Sequence, residues 1–539
     1  MKQQLPYIQN PILRGFNPDP SIVRVGNDFY VATSTFQWFP GVQIHHSRDL
    51  IHWQLLTRPL DRLSQLNMLG NPDSGGVWAP CLTYDNHLFY LVYTDVKSHA
   101  GAYKDTHNYV VTAPDIKGPW SDPVYLNSSG FDPSLFHDED GKKWLVNMQW
   151  DYRKDRDPFN GIYLQEYSEE EQRLVGPSYL IYQGSELGLT EGPHLYKKDG
   201  YYYLMVAEGG TSYEHAVTLA RSKALTGPYE TDPSGAMLSA RHNPEAMLQK
   251  AGHASLVHTQ SDEWYIVHLC GRPLATEDRR CNLGRETAIQ RCEWSDEGWL
   301  RLAGGGNTPL NEIQAPALPW HPFPAPSPTD HFEGGTLDIQ WQSLRQPMTE
   351  QWLTLTERPG YLRLRGMESP NSRFRHSLIG RRQQAFRCEA ETALEFEPGT
   401  YQQMAGLTYY YNSQNYYYLR LGYDEKAGTN LAILANDHGV YHEHTGEPVP
   451  VPSGARVYLR LVIQDRWLQF YYSLNGSEWF AIGPELDASK ISDEYATHLV
   501  DGYFTDWGFT GAFIGLCAHD LSGGRRAADF DYFRYEEKE

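Results

Sequence analysis

From residue 19 to about residue 270 the chain repeats one arrangement of polar and apolar positions five times, at intervals of roughly sixty residues. The repeats begin Asp19-Pro20-Ser21-Ile22, Ala79-Pro80-Cys81-Leu82, Asp132-Pro133-Ser134-Leu135, Gly192-Pro193-His194-Leu195 and His253-Ala254-Ser255-Leu256. A polar turn follows each, and then a run of aromatic and aliphatic residues. Gly26-Asn27-Asp28 precedes Phe29-Tyr30-Val31, and Lys198-Asp199-Gly200 precedes Tyr201-Tyr202-Tyr203-Leu204. Such turns between β-branched and aromatic runs predict hairpins. An aromatic recurs in each second strand, at Tyr30, Tyr90, Trp144, Tyr203 and Trp264. Polar turns ending in an aromatic, as at Ser47–Trp53, Ala113–Trp120 and Ser222–Tyr229, are read as the ends of blades one, two and four. Short strands at this period predict a five-bladed β-propeller.

The repeat stops near residue 300. Residues 315–328 read APALPWHPFPAPSP, a composition of stiff, extended connectors. Beyond Asp330 the pattern becomes near alternation, as in Tyr361-Leu362-Arg363-Leu364-Arg365 and Tyr458-Leu459-Arg460-Leu461-Val462. Alternation predicts half-buried antiparallel strands, and no long helical period is visible. The expected architecture is all-β: a propeller over 1–314, a linker over 315–329, and a jelly-roll, concanavalin-like β-sandwich over 330–539.

Composition narrows the partners. A formal charge of −21 argues against nucleic acid and anionic membranes. No apolar run approaches the ~18 residues that span a bilayer. The stretch Met1-Lys2-Gln3-Gln4-Leu5-Pro6 lacks the apolar core of a signal peptide, so a cytoplasmic location is expected. The six cysteines show no CxxC spacing and read as free thiols. Aromatics make up 13% of the chain, which suits sheet packing and also sugar contact.

The register of the repeats carries the chemistry. One slot holds Asp19, Asp132 and His253, and Glu191 lies one residue from it. Equivalent slots of radially arranged blades face a common axis, so three carboxylates distant in sequence are expected in one pocket. Carboxylates that share a site push each other's pKa apart, and one can keep a proton at neutral pH while another stays ionised. That division of labour suits glycosidic bond cleavage, with one acid for the leaving oxygen and one base for water or attack.

Asn17-Pro18-Asp19-Pro20-Ser21, Gly130-Phe131-Asp132-Pro133-Ser134, Leu189-Thr190-Glu191-Gly192-Pro193-His194 and Leu283-Gly284-Arg285-Glu286-Thr287 together resemble glycoside hydrolase family 43, its β-xylosidases above all. The resemblance spans essentially the whole chain. It implies Asp19 as general base, Glu191 as general acid and Asp132 as the group that raises and orients that acid. It implies an inverting displacement, with base and acid roughly 6.5–9.5 Å apart around a water. Arg285 is implied as a contact to the sugar's hydroxyls. Phe36, Trp78 and Phe131 are implied as the apolar wall of the xylose pocket. Trp507-Gly508-Phe509-Thr510-Gly511 resembles a loop that sets Phe509 at the pocket mouth, so the sandwich would close the site and favour exo cleavage. His253 is expected in the pocket and is also a candidate ligand of a divalent cation, calcium, in the propeller channel. The family often has an aromatic near position 147, where this chain has Asn147-Met148.

The activity this implies is release of xylose from the non-reducing end of short β-1,4-xylo-oligosaccharides, with side activity on α-L-arabinofuranosides. The alternatives are a primary α-L-arabinofuranosidase and a non-catalytic carbohydrate-binding protein. A retaining fructosidase relative would need an Asn-Asp-Pro-Asn entry, and the entry here is Asn-Pro-Asp-Pro-Ser. Relatives assemble as dimers or tetramers, which makes a homodimer or homotetramer the expectation.

Overall fold

A computed structural model describes residues 6–500 and 503–538. The first five residues, on which the reading of the N-terminus falls, lie outside the described residues. Five antiparallel sheets follow one another along the first 302 residues. Blade one is Ser21–Val25, Asp28–Thr33, Gln43–Ser47 and Gln54–Thr57. Blades two to five begin with Gly76–Asp85, Gly130–His137, Glu191–Lys198 and Gln249–His258. Tyr7–Gln9 pairs with Glu312–Gln314, which brings the start of the propeller against the segment that leaves it.

The repeated opening motif has a structural cause. Asp19, Ala79, Asp132, Gly192 and His253 all have φ between 34° and 57°. Each therefore sits in the left-handed region, where only Gly is free of strain and Asp and His are better tolerated than most. The left-handed residue bends the chain into the inner strand, and in blades two to four the strand register shifts at this point, as in a β-bulge. In blades one and five the serine two places on staples the neighbouring blade. Ser21 Oγ accepts Leu82 N at 3.1 Å, and Ser255 Oγ accepts Ile22 N at 3.1 Å. In blade four the same service comes from Tyr196, whose hydroxyl accepts Leu256 N at 2.8 Å.

Two details differ from the sequence reading. The aromatic of blade five that matches Tyr30, Tyr90, Trp144 and Tyr203 is Tyr265, paired with Val257, because the hairpin there, like that of blade three, is one residue longer than in the other blades; Trp264 pairs with His258. The turns ending at Trp53, Trp120 and Tyr229 lead into the outer strands Gln54–Thr57, Val124–Asn127 and Glu230–Thr231 and are not themselves the blade ends.

Residues 315–328 cross blades five and one. Ala317 N reaches Glu263 Oε2 at 2.9 Å, His321 N reaches Asp49 Oδ2 at 2.8 Å, and the Trp320 ring meets His52 edge-on at 4.2 Å. Two large antiparallel sheets then face each other. In the far sheet, Val457–Gln464 alternates buried and half-buried positions throughout. The near sheet is different. Gln403–Asn412 and Asn415–Asp424 are buried along nearly their whole length, because one face packs in the sandwich core and the other lies on the propeller.

The domain boundary is not clean. Trp38–Phe39, in the loop between the second and third strands of blade one, pairs with Gln342–Leu344 and becomes the edge strand of the near sheet. Trp38 is fully buried and stacks on Phe513 with centroids 3.8 Å apart. Arg345, also fully buried, donates to Asp73 Oδ1 at 2.6 Å and to Asn71 O at 2.8 Å, and Ser413 bonds the other oxygen of Asp73. A second buried ion pair, Lys250 with Glu494, ties blade five to the short helix Asp493–Ala496. Among the described residues no helix is long and apolar enough to cross a membrane.

Candidate active site

The left-handed slot brings Asp19, Asp132 and His253 to the axis. In blade four that slot is Gly192, so Glu191 occupies the position held by Trp78 and Phe131 in their blades. Glu191 still joins the cluster, because its loop is drawn in by Glu208. That residue is fully buried and accepts Ser185 N at 2.7 Å, Thr190 Oγ1 at 2.8 Å and Thr218 Oγ1 at 2.7 Å. Nothing about Glu208 in the sequence marks it, since its partners are set by the fold.

Asp19 is 6% exposed and held on both oxygens. Ser34 Oγ donates to Oδ2 at 2.6 Å and itself accepts Ala79 N at 2.8 Å, so blade two fixes the hydroxyl's direction. Arg285 Nη1 donates to Oδ1 at 3.3 Å, and His253 Nδ1 lies 3.8 Å from the same oxygen. Burial pushes the His253 pKa down, which leaves a neutral imidazole. Its ring covers Gly192: a β-carbon there would stand 3.0–3.2 Å from three ring atoms.

Asp132 is 7% exposed, and its Oδ2 accepts the Gly192 N–H at 3.0 Å. Burial and the charge of Asp19 push its pKa up to about 8, against the Gly192 N–H and Arg285, which both favour the ionised form. Glu191 is pushed well above the usual carboxylate range, by burial first, then by Asp132 and Asp19. The two groups titrate as a unit. With a backbone donor on Asp132, the geometry favours the proton on Glu191.

Arg285 gathers four segments. Nη1 also donates to Thr211 Oγ1 at 2.9 Å, and Nη2 donates to the Phe509 carbonyl at 3.0 Å. The guanidinium carbon lies 5.2 Å from the Phe36 ring centre and 5.1 Å from that of Phe509. Its Nε is buried without a hydrogen-bond partner. Glu286, the neighbouring acid, pairs instead with Arg272 at 2.6 Å and accepts Gly15 N. Gly284 is required just before Arg285: its φ is +74°, and a β-carbon would meet the Thr510 carbonyl at 1.9 Å. Propeller and sandwich backbones touch here, which brings Phe509 over the site.

The aromatic wall is continuous. Phe36 lies 6.1 Å from Trp78 and 5.8 Å from Phe509, and Trp78 meets Phe131 at 5.4 Å and Phe509 at 5.6 Å. Trp507, Trp150 and Lys104 extend it outward, and of these only Trp507 lies in a motif the sequence marks. Trp507 stacks on Phe509 at 5.0 Å, and Trp150 lies 6.4 Å from Phe131. The Lys104 ammonium lies 4.4 Å from the Trp150 ring centre and 5.4 Å from that of Trp507, and burial lowers its pKa to about 8. Asn147 Nδ2 donates to Ser129 Oγ at 3.1 Å and to the Met148 carbonyl at 2.8 Å.

Among the described residues no group of three or more His, Cys, Asp or Glu side chains converges as a metal site. Calcium takes about six to eight oxygen ligands. Near His253 the chain offers one carboxylate, Asp19, already bonded to Ser34 and Arg285. These residues do not make a calcium site by themselves.

Clustered carboxylates of raised proton affinity, an arginine and an aromatic wall on a propeller are the parts of a glycoside hydrolase. The pattern of the glycosyl hydrolases family 43 matches residues 8–300, and that of the β-xylosidase C-terminal concanavalin A-like domain matches 329–536. The chain belongs to glycoside hydrolase family 43. It is 50% identical to a protein named "Beta-xylosidase" from Bacillus subtilis (strain 168), over 98% of this chain and 100% of that one. It is also 50% identical to "Xylosidase/arabinosidase 43B" from Humicola insolens, over 98% of each. The crystal structure of a xylan β-1,4-xylosidase from Bacillus halodurans C-125 superposes with a TM-score of 0.96 at 57% identity, covering 98% of this chain and all of the other.

Proposed function

We propose that this protein is an inverting exo-β-1,4-xylosidase that releases xylose from the non-reducing end of short xylo-oligosaccharides. The observation that carries the reading is the gathering of Asp19, Asp132 and Glu191 in one pocket with different partners. Asp19 accepts from Ser34 and Arg285 and serves as base, whereas Glu191 is kept protonated by burial and by Asp132 and serves as acid. Asp19 draws a proton from a water, which attacks the anomeric carbon from one face. Glu191 protonates the departing glycosidic oxygen on the other. Asp132, anchored by Gly192 N–H, sustains the acid's proton affinity.

The wall of Phe36, Trp78, Phe131 and Phe509 suits the C–H faces of a pentose. A sugar without a hydroxymethyl group tolerates such close walls. The unpartnered Arg285 Nε is a donor left for a sugar hydroxyl. α-L-Arabinofuranosides present similar hydroxyls, and the name of the Humicola relative supports that side activity. Cytoplasmic action is proposed on the six free cysteines, which suit a reducing compartment; cell fractionation tests it.

Proton NMR of xylobiose hydrolysis at early times tests the mechanism. α-Xylose appearing first is expected. β-Xylose first means retention and overturns the roles of Asp19 and Glu191.

A further inference from the structure

Beyond the pocket mouth, two exposed tyrosines lean on each other. Tyr103 is 67% exposed and Tyr152 is 55% exposed, yet their ring centres lie 4.8 Å apart at 43°. They belong to the hairpin loops of adjacent blades, between Leu88–Ser98 and Asp105–Ala113 in blade two and between Lys143–Trp150 and Phe159–Ser168 in blade three. A lone exposed aromatic is ordinary, but two large rings gathered from different blades leave a joint apolar surface in water.

The loops that carry the pair also carry the outer end of the pocket wall. The wall passes from Phe131 to Trp150, and Trp150 Nε1 donates to the Ala102 carbonyl at 2.9 Å, which binds the two loops together. Lys104, one residue from Tyr103, stands over Trp150 and acts electrostatically on Glu191. Tyr152 is two residues beyond Trp150. Cleavage at the non-reducing end sends the remainder of the substrate out through this mouth. The remainder is a neutral chain of pyranoses, whose C–H faces stack on aromatic rings, and tyrosine adds a hydroxyl for polar contact.

We propose that Tyr103 and Tyr152 form an outer subsite that stacks the trailing, reducing-end xylosyl units of substrates longer than xylobiose. The proposal rests on the assignment of the pocket to the non-reducing xylosyl unit. It makes the enzyme sensitive to chain length through a platform that the chemistry itself does not touch.

The test compares Tyr103→Ala, Tyr152→Ala and the Tyr→Phe variants on an aryl β-xyloside, xylobiose and xylotetraose. Each Ala variant is expected to lose about fivefold in kcat/KM on xylotetraose and less than twofold on the two short substrates. The Phe variants are expected to keep most of the xylotetraose rate. An equal loss on all three substrates, or none on xylotetraose, overturns the proposal. Calorimetry with xylotetraose on Glu191→Gln protein, with and without Tyr103→Ala, reads the stack without turnover. A fivefold weaker Kd supports the subsite, and an unchanged one removes it. Failure of the wild-type enzyme to cleave any β-xyloside would instead remove the assigned activity. A change of oligomeric state by light scattering in both Ala variants would make the pair a subunit contact and overturn the proposal.

Discussion

Gly192→Ala is the sharpest single perturbation of the site, because it adds one carbon at the point where three functional groups meet. Gly192 has φ +57°, and its N–H holds Asp132 at 3.0 Å. It follows Glu191 directly, and the new β-carbon would stand 3.0 Å from His253 Cε1 and 3.1 Å from Nδ1. An alanine in the left-handed region costs about 1–2 kcal/mol. The His253 contact is tighter than ordinary van der Waals distance, so either the ring or the 191–192 backbone must shift. His253 is buried beside Asp19, which leaves the backbone to move.

A displacement of about 1 Å at a reacting group costs on the order of 100-fold in rate. That corresponds to roughly 2.7 kcal/mol of barrier. Gly200→Ala provides the control. It lies in the first hairpin of the same blade with φ +77°, and nothing stands within 4 Å of its added carbon. Gly200→Ala should lose about 1–2 kcal/mol of stability and Gly192→Ala at least as much, read as the midpoint of thermal inactivation. Only Gly192→Ala should lose about 100-fold in kcat on xylobiose. If Gly192→Ala keeps kcat within threefold of wild type, the packing of His253 on Gly192 does not position the acid, and the reasoning fails.

Asp132→Asn removes a negative charge that discourages Glu191 from ionising. The Glu191 pKa then falls, the acid loses its proton at lower pH, and the alkaline limb of kcat/KM moves to lower pH; a limb that stays put or moves up would falsify the coupling. Glu191→Gln should cost on the order of 10²–10⁴-fold on xylobiose, the usual worth of a general acid, and less on an aryl xyloside whose leaving group departs without a proton. Equal losses on both substrates would deny Glu191 the acid's role. Asp73→Asn leaves Arg345 buried and without its counter-charge. A loss of roughly 3–5 kcal/mol is expected, read by thermal inactivation; an unchanged midpoint would show that the pair does not hold the domains together.

The blades were legible because two local signals coincide: a hairpin turn and a residue type that tolerates a left-handed backbone. Asp19, Asp132 and His253 fill that slot for conformational reasons as well as for their position at the axis. The serine two places on reads as part of a catalytic motif, yet Ser21 and Ser255 are staples between blades. Glu191 fell one residue out of register because Gly192 takes the left-handed position, and the glycine is needed to admit the His253 ring. What stayed hidden depends on partners far along the chain. Ser34 earns its place only through Ala79, forty-five residues on, and Glu208 only through a loop that the fold brings back to it. Trp150 and Lys104 carry no local pattern that separates them from ordinary sheet residues.

The sandwich is a structural part of the catalytic site and not an appendage to it. Phe509 supplies a ring to the wall and a carbonyl to Arg285, and its loop is held from both sides: Ser74 of the propeller bonds the Trp507 carbonyl at 2.7 Å, while Tyr411 of the sandwich accepts Thr510 N at 3.2 Å. In return, blade one lends Trp38–Phe39 to the sandwich sheet. The loop that carries this strand also carries Ser34 and Phe36, which touch Asp19 and Arg285. A propeller cut off before residue 330 would therefore lose the partner strand of the very loop whose Ser34 holds Asp19. The propeller packed on its outer face explains why the near sheet is buried on both sides. The exchange of strands also ties the closure of the pocket to the folding of both domains.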